Sequence, residues 1–465
     1  MGSLLRSLVL AAPLLLGACA GRGAPALTAT DVPARWDAPI TAGATPWPDS
    51  AWWTAFGSPE LDELIARAKA NNLDIAAAAA RLVQAQGQYK STSSSLFPSL
   101  DLNGGASTRD SFTNDAPRSS SDNNSFELSA GASYELDFWG KNRNDAAAAR
   151  RAVDASRFDQ ETVALTVTAN VASTYFQVLS LRDRIAIAIA NLDNQERVLG
   201  VIEAKAKAGV ATPLALAQQR STVARQRATI PPLEQQEREA RASLALLLGI
   251  PPQGFDVAAT GLKSVASPAV APGLPSELLA RRPDIASAEA SLEGADASVA
   301  SARAAFYPSI SLTGSSGFSS SALAALINPA AAAYNAGASL AQPLFDGRRL
   351  SGQLQTAKGR QGELLATYRG TVFTAFSEVS NTLGSIDTLA RQGSLQSEDV
   401  SQSQTAFDIA EARYRAGLED YISVLDTQRT LYSAQDSQAQ TKLSRLQSLV
   451  TLYRVLGGGW EKTAP

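Results

Sequence analysis

Arg282 to Gly314 reads RPDIASAEASLEGADASVASARAAFYPSISLTG, and Asn72 to Gly104, NLDIAAAAARLVQAQGQYKSTSSSLFPSLDLNG, says nearly the same thing. The two align without a gap at an offset of 210 residues, keeping Asp74/Asp284, Ile75/Ile285, Leu82/Leu292, Pro98/Pro308 and Gly104/Gly314. The chain is a tandem duplication, so its 465 residues make one architecture from two halves. Each copy changes hydrophobic period at an aromatic-Pro pair, Phe97-Pro98 and Tyr307-Pro308, from Ala-rich helix to period-two alternation. A long helix feeds straight into a strand, twice.

Composition closes several function classes. With no His and one Cys, the chain cannot build a zinc site, a Ser-His-Asp triad, a Cys-His pair or a CxxC redox motif. No cofactor and no enzyme is expected. A net charge of −3 with scattered Lys and Arg offers no basic surface to nucleic acid.

From Met1 to Ala18 one Arg precedes the apolar run Leu8 to Leu16, which is short of the ~20 residues a spanning helix needs and reads as a secretory signal. Leu16-Gly17-Ala18-Cys19 has lipobox spacing, so cleavage leaves Cys19 as an acylated first residue; the other reading is a signal-region Cys with no role. Gly21 to Pro48, aperiodic and rich in Gly, Pro, Ala and Thr, is an extended tether. Trp47, Trp52, Trp53 and Phe56 then precede Ser58-Pro59-Glu60, an N-cap, a Pro at the first helical position and an acid in the first turn. The aromatics either staple that helix entry or form a ligand platform. Helix is expected from Leu61 to Ser95.

After Pro98 the alternation begins, and it is cleanest from Phe126 to Phe138. Phe126, Leu128, Ala130, Ala132, Tyr134, Leu136 and Phe138 take one face; Glu127, Ser129, Gly131, Ser133, Glu135 and Asp137 take the other. At ~3.3 Å per residue this run covers about 40 Å, beyond a usual globular strand and enough for a tilted membrane strand. A soluble sandwich strand also alternates. Aromatics at both ends of the apolar face, with an export signal upstream, favour the membrane. Glu127, Ser133, Glu135 and Asp137 are then expected to face a lumen. The second copy repeats the plan, with Ile310 and Leu312, a loop from Ser315 to about Ala331, and Tyr334, Ala336, Ala338 and Leu340; turn-like Phe138-Trp139-Gly140 and Phe345-Asp346-Gly347 close the hairpins. Four strands cannot close a barrel, and an open edge in lipid leaves backbone groups unsatisfied, so copies of the chain must assemble. Two copies give eight strands and a filled interior, whereas three give twelve and a lumen.

Asn142 to Leu248 and Arg349 to Leu456 are long helical arms, with coiled-coil stripes at Val400, Ser403, Phe407, Ala410 and Tyr414 and at Leu443, Leu446, Val450 and Tyr453. Each arm is interrupted once, at Gly209 and at Gly417, and is expected to fold into a helical hairpin with its tip just beyond the Gly. The chain thus divides into a signal peptide (1–18), a lipid anchor and tether (19–48), a first repeat (49–250), a linker (251–275), a second repeat (276–460) and a tail (461–465). Within the repeats the β-hairpins are expected at about 98–138 and 308–345, and the helical hairpins at 142–248 and 349–456.

RRPDI-x3-E followed by FYPSISLTG resembles the outer-membrane efflux proteins, the TolC-like channels of Gram-negative bacteria, and among them the NodT-like lipoprotein branch of RND-type efflux systems. The resemblance covers about residues 45 to 460. It implies an α+β fold: a homotrimer with a 12-stranded outer-membrane β-barrel continued by a long periplasmic α-helical barrel of coiled-coil hairpins. It implies an exit duct fed by an inner-membrane pump, of RND type, through a periplasmic adaptor, with outer-membrane lipid as surroundings. The other readings are a pore-less structural coiled-coil lipoprotein and the outer-membrane channel of a type I secretion system. The resemblance also places a gate at the second hairpin tip, carried by Ile422 and Asp426 one helical turn apart, with Tyr414 bracing the closed tips by hydrogen bonding. The opposing reading makes Ile422 heptad core and Asp426 a solvated charge. At the first tip Ala215 stands where many members have an acid, which leaves a lock through that position in doubt.

Overall fold

Ser58 and Pro59 open the first helix as their chemistry dictates: Ser58 Oγ accepts from the Leu61 amide at 3.3 Å, and Pro59 occupies the first turn. The computed structural model describes residues 31–36, 45–109 and 123–461. The expected signal peptide, Cys19 and its lipid, most of the tether, the crown of the first β-hairpin loop and residues 462–465 lie outside them.

In chain order come β1 (Thr45–Pro46), α1 (Pro59–Asn71), α2 (Leu73–Ser93), β2 (Ser99–Arg109), β3 (Asn123–Leu136), α3 (Lys141–Lys207) and α4 (Pro213–Leu247). Then follow β4 (Val270–Ala271), α5 (Pro275–Arg281), α6 (Pro283–Ala304), β5 (Ser309–Ser320), β6 (Ala332–Ala341), α7 (Arg349–Arg415) and α8 (Tyr421–Val455). Among the described residues no helix is long and apolar enough to cross a membrane. The chain forms two compact units, one holding Ser93–Ala148 and Leu292–Arg369, the other Ala34–Thr92, Ala149–Ser291 and Gly370–Pro465.

The first unit carries an antiparallel sheet in the order β2-β3-β5-β6. Three expectations are corrected here. Strand β5 continues to Ser320, past the loop start expected at Ser315, because every residue to Phe318 still has a partner on β6. Phe138 and Asp137 lie beyond the end of β3, and Trp139 instead stacks on Tyr307 at 4.9 Å and donates to the Pro308 carbonyl at 2.7 Å. The Phe138–Gly140 and Phe345–Gly347 turns therefore join strand to helix, where Gly140 and Arg348 both take positive φ, and do not close hairpins.

The second unit packs Trp52, Phe56, Leu61, Ile65, Tyr175, Phe176, Leu244 and Tyr453 into one core. Trp52 stacks on Tyr453 at 4.9 Å, and Trp52 and Phe56 are buried, so these two aromatics are a staple of the core. The helix expected to be continuous from Leu61 is broken at Asn72. Asn72 Oδ1 caps α2 by accepting from the Asp74 and Ile75 amides, while its Nδ2 donates to the Leu247 carbonyl at 2.8 Å. The second repeat solves the same joint with Arg282, which donates to the Val455 carbonyl at 3.2 Å and pairs with Asp284 and Glu378. Leu247 and Val455 are equivalent positions 208 apart. Beside each joint a glycine is required: a Cβ at Gly249 would lie 2.2 Å from the Asn71 carbonyl oxygen, and one at Gly457 would lie 1.8 Å from that of Arg281, both at positive φ.

Candidate functional site

Two surfaces carry the chemistry, the four-stranded sheet and the tip of the second helical hairpin. In the sheet, residues directly opposite share a face, so the register decides whether the alternation of each strand adds up. It does. Leu100, Leu102 and Gly104 of β2 lie opposite Ala132, Ala130 and Leu128 of β3; these lie opposite Gly314, Ser316 and Phe318 of β5, which face Ala336, Tyr334 and Ala332 of β6. Apart from Ser316, this face is apolar across all four strands. On the other, Ser133 faces Ser99 and Thr313, Glu127 faces Gly105 and Ser319, and Glu135 faces Ser311. The Ser99 and Ser133 hydroxyls bond at 2.8 Å. Three of the four expected lumen-facing residues, Glu127, Ser133 and Glu135, thus share this polar face. The fourth, Asp137, is corrected: its carboxylate accepts from the Asn142 and Arg143 amides and pairs with the Arg143 guanidinium, which makes it the cap of α3 rather than a strand residue. A carboxylate next to four unsatisfied helix amides is drawn to them, and strand alternation alone does not reveal that competition.

At the tips both hairpins reverse through a glycine with positive φ, Gly209 at 77° and Gly417 at 78°. On the second hairpin Tyr421, Val424, Gln428 and Leu431 are the buried face of α8, packed with Val198 and Ile202 of α3 and Phe407 of α7. Ile422 is 69% exposed and Asp426 is exposed, on a face of α8 turned away from this chain's own core. Within one chain Ile422 is therefore not a heptad core residue. Tyr414 is buried among the helices of its own chain. Its carbonyl accepts from Lys205 Nζ at 2.6 Å, the same ammonium sits 3.9 Å from its ring centroid, and its ring lies 6.1 Å from that of Tyr421.

The sequence reading missed a buried tie at this tip. Tyr421 donates its hydroxyl to Gln219 Oε1 at 2.6 Å, and Gln219 in turn donates to the Gln195 carbonyl at 2.7 Å; both side chains are buried. This chain of bonds joins α8 to α4 and α3. Burial, aided by neighbouring Tyr414 and opposed by Arg225, pushes the Tyr421 hydroxyl up to about 12, so it stays a neutral donor at any physiological pH. The available signal was the coiled-coil spacing of Tyr421, Val424, Gln428 and Leu431, which marks a polar residue at a core position. Arg413 and Glu419 add an ion pair across the turn at 3.1 Å.

Among the described residues no cluster of His, Cys, Asp and Glu is arranged to hold a metal ion. The family model described as "Outer membrane efflux protein" matches residues 64–250 and 274–458, one segment in each repeat. The chain is 45% identical over 462 residues to the "Pyoverdine export outer membrane protein OpmQ" of Pseudomonas aeruginosa, covering 97% of this chain and 96% of that one. It is 31% identical over 427 residues to the "Probable outer membrane lipoprotein SilC" of Salmonella typhimurium, covering 90% of each. The solved structure of the outer-membrane channel OprN superposes with a TM-score of 0.87 at 28% identity, over 94% of this chain and 99% of that one. Matched in both repeats and along nearly its whole length, the chain belongs to the outer membrane efflux protein family and works in the outer membrane.

Proposed function

We propose that three copies of this chain close a twelve-stranded barrel in the outer membrane and a helical duct in the periplasm. The assembly is a passive exit duct that receives substrate from an inner-membrane pump, of RND type, through a periplasmic adaptor, and nothing in it acts as a catalyst. The sheet carries the reading. One face is predominantly apolar over four strands, the opposite face is polar, and the outer strands β2 and β6 have no further partner among the described residues. Such an edge is not tolerated in lipid, and three copies remove it while leaving a lumen lined by Glu127, Ser133 and Glu135. A pore-less spacer leaves the two-faced sheet without a purpose. Reconstitution in planar bilayers tests the choice: discrete conductance steps are expected, and a trimeric preparation that never conducts overturns the duct.

The adaptor reading draws on the tips. Val210 on the first hairpin and Leu418 on the second are equivalent at an offset of 208, and both are exposed. Paired apolar residues at both tips suit the end of a second protein's helical hairpin. Ile422 and Asp426 form the gate, three apolar side chains and three carboxylates around the axis, which favours cations when shut. Replacing both, Ile422→Ala with Asp426→Ala, should raise conductance and the entry of a large antibiotic; unchanged values remove them from the gate. The similarity to a pyoverdine export protein makes pyoverdine the first cargo to assay, by its accumulation inside cells that lack this chain. Cys19 supplies an acyl anchor beside the barrel.

A further inference from the structure

We propose that the edge strand β6 pairs antiparallel with β2 of a second copy in one defined register, Leu340 opposite Gly104 and Ser339 opposite Gly105, with Leu344 and Phe345 closing over that copy's Leu100 and Phe97. This rests on the trimer proposed above and names its seam.

The argument uses the duplication as a ruler. Two offsets relate the repeats: 210 through the first strand of each, as in Pro98/Pro308, and 208 through the long helices, as in Gly209/Gly417. The sheet offers a check. Ser99 pairs with Ser133 in the first hairpin; adding 210 and 208 gives Ser309 and Ala341, which is the pair found in the second hairpin. The pairing follows the repeat residue for residue.

The remaining seam within the chain is β3 with β5, where Ala132 lies opposite Gly314, Gly131 opposite Ser315 and Leu136 opposite Ile310. Its counterpart, shifted by the same offsets, joins β6 to β2: Leu340 with Gly104, Ser339 with Gly105, and Leu344 with Leu100. Within one chain these are the two outer strands of the sheet, so that counterpart exists only between copies. The faces agree, because Leu340 and Gly104 both belong to the apolar face and Ser339 and Gly105 both to the polar one.

A second observation points to the same surface. The seam inside the chain is flanked by the Trp139–Tyr307 stack. The residues flanking the outer edges are left bare: Phe97 is 69% exposed, Leu344 95% and Phe345 94%. Three large apolar side chains at the two strand ends that the repeat brings together are the cover this seam lacks in a single chain.

Cysteine pairs test it in the full-length chain carrying Cys19→Ser, which then has no other thiol. Opposed residues alternate between hydrogen-bonded and non-hydrogen-bonded pairs, so Ser339→Cys with Gly105→Cys and Ala338→Cys with Ala106→Cys are both made, one of each kind. Under mild oxidation at least one should give covalent dimers and trimers, roughly tenfold more than Ser339→Cys with Asn103→Cys or with Ser107→Cys, whose Cα atoms lie too far apart to bridge. Dominant crosslinking of one of those shifted pairs overturns the register and leaves the trimer standing. A native trimer in which no pair crosslinks removes β6 from β2 altogether, whereas a monomeric chain in native mass measurement sinks the trimer itself.

Discussion

Tyr421→Phe removes one oxygen atom from each chain and should make the closed duct leak. The lost hydroxyl donates to Gln219 Oε1 at 2.6 Å, and Gln219 is fully buried. A bond of this kind contributes a net ~0.5–1.5 kcal/mol, but stranding a buried amide oxygen costs about 1–3 kcal/mol, and the second figure applies because no water reaches the site. About 2 kcal/mol per chain lowers the ratio of closed to open tips by about 30-fold if the bond breaks on opening. Single-channel recording gives the open probability directly, and uptake of a large antibiotic reports it in cells. The double variant Tyr421→Phe with Gln219→Leu supplies the control, since replacing both partners by apolar groups strands no side-chain amide, takes from the Gln195 carbonyl only its side-chain donor, and should restore much of the closure. An open probability that stays at the parental value in Tyr421→Phe, or a double variant as leaky as the single one, refutes the reasoning. A pH arm follows from the hydroxyl raised to about 12. The unfolded or released phenol loses its proton near 10, the packed one later, so the tie is fully present below pH 10 and is lost as pH rises toward 12. Between pH 6 and 9 the closure contributed by Tyr421 should not change.

Cys19→Ser should still assemble as a trimer and stay in the membrane, because a barrel holds the chain independently of an acyl chain's ~0.8 kcal/mol per CH₂; a soluble monomer on fractionation sinks the barrel. Ala132→Arg, on the apolar face, should reduce assembly by about 2–4 kcal/mol, and Ser133→Arg by much less; equal trimer yields on native gels mean that the sheet is not in lipid. Gly457→Ala and Gly417→Ala separate strain from collision. Both sit at positive φ, which costs about 1–2 kcal/mol, but a Cβ meets open space at Gly417 and the Arg281 carbonyl at 1.8 Å at Gly457. Overpacking adds roughly 1–3 kcal/mol, so only Gly457→Ala should markedly lower the melting temperature of the trimer; similar melting of the two variants contradicts the joint.

What the sequence disclosed and what it withheld divide along one physical line. Periodicity is a property of a single element, and it is written in the residues: β3 alternates from Phe126 to Leu136, and the stripe from Val400 to Tyr414 is largely buried as heptad spacing implies. Element ends are set by competition between partners. Asp137 fits the strand's polar face but caps α3, and Asn72 interrupts a run of good helix formers because its amide reaches the Leu247 carbonyl 175 residues away. Strand alternation does not disclose the first of these partners, and no local pattern discloses the second. The same line runs through the tip. Resemblance points to Ile422 and Asp426, but Lys205, Gln219 and Gln195, which hold Tyr414 and Tyr421 in place, come from the other repeat. The duplication supplies an exception to this rule. A chain that repeats itself states its long-range pairing twice, so the register of β3 on β5 also speaks for the two outer strands of the described sheet. An internal repeat therefore carries information about assembly that no single strand contains, provided that its offsets reproduce a pair already seen. Ser309 opposite Ala341 meets that condition.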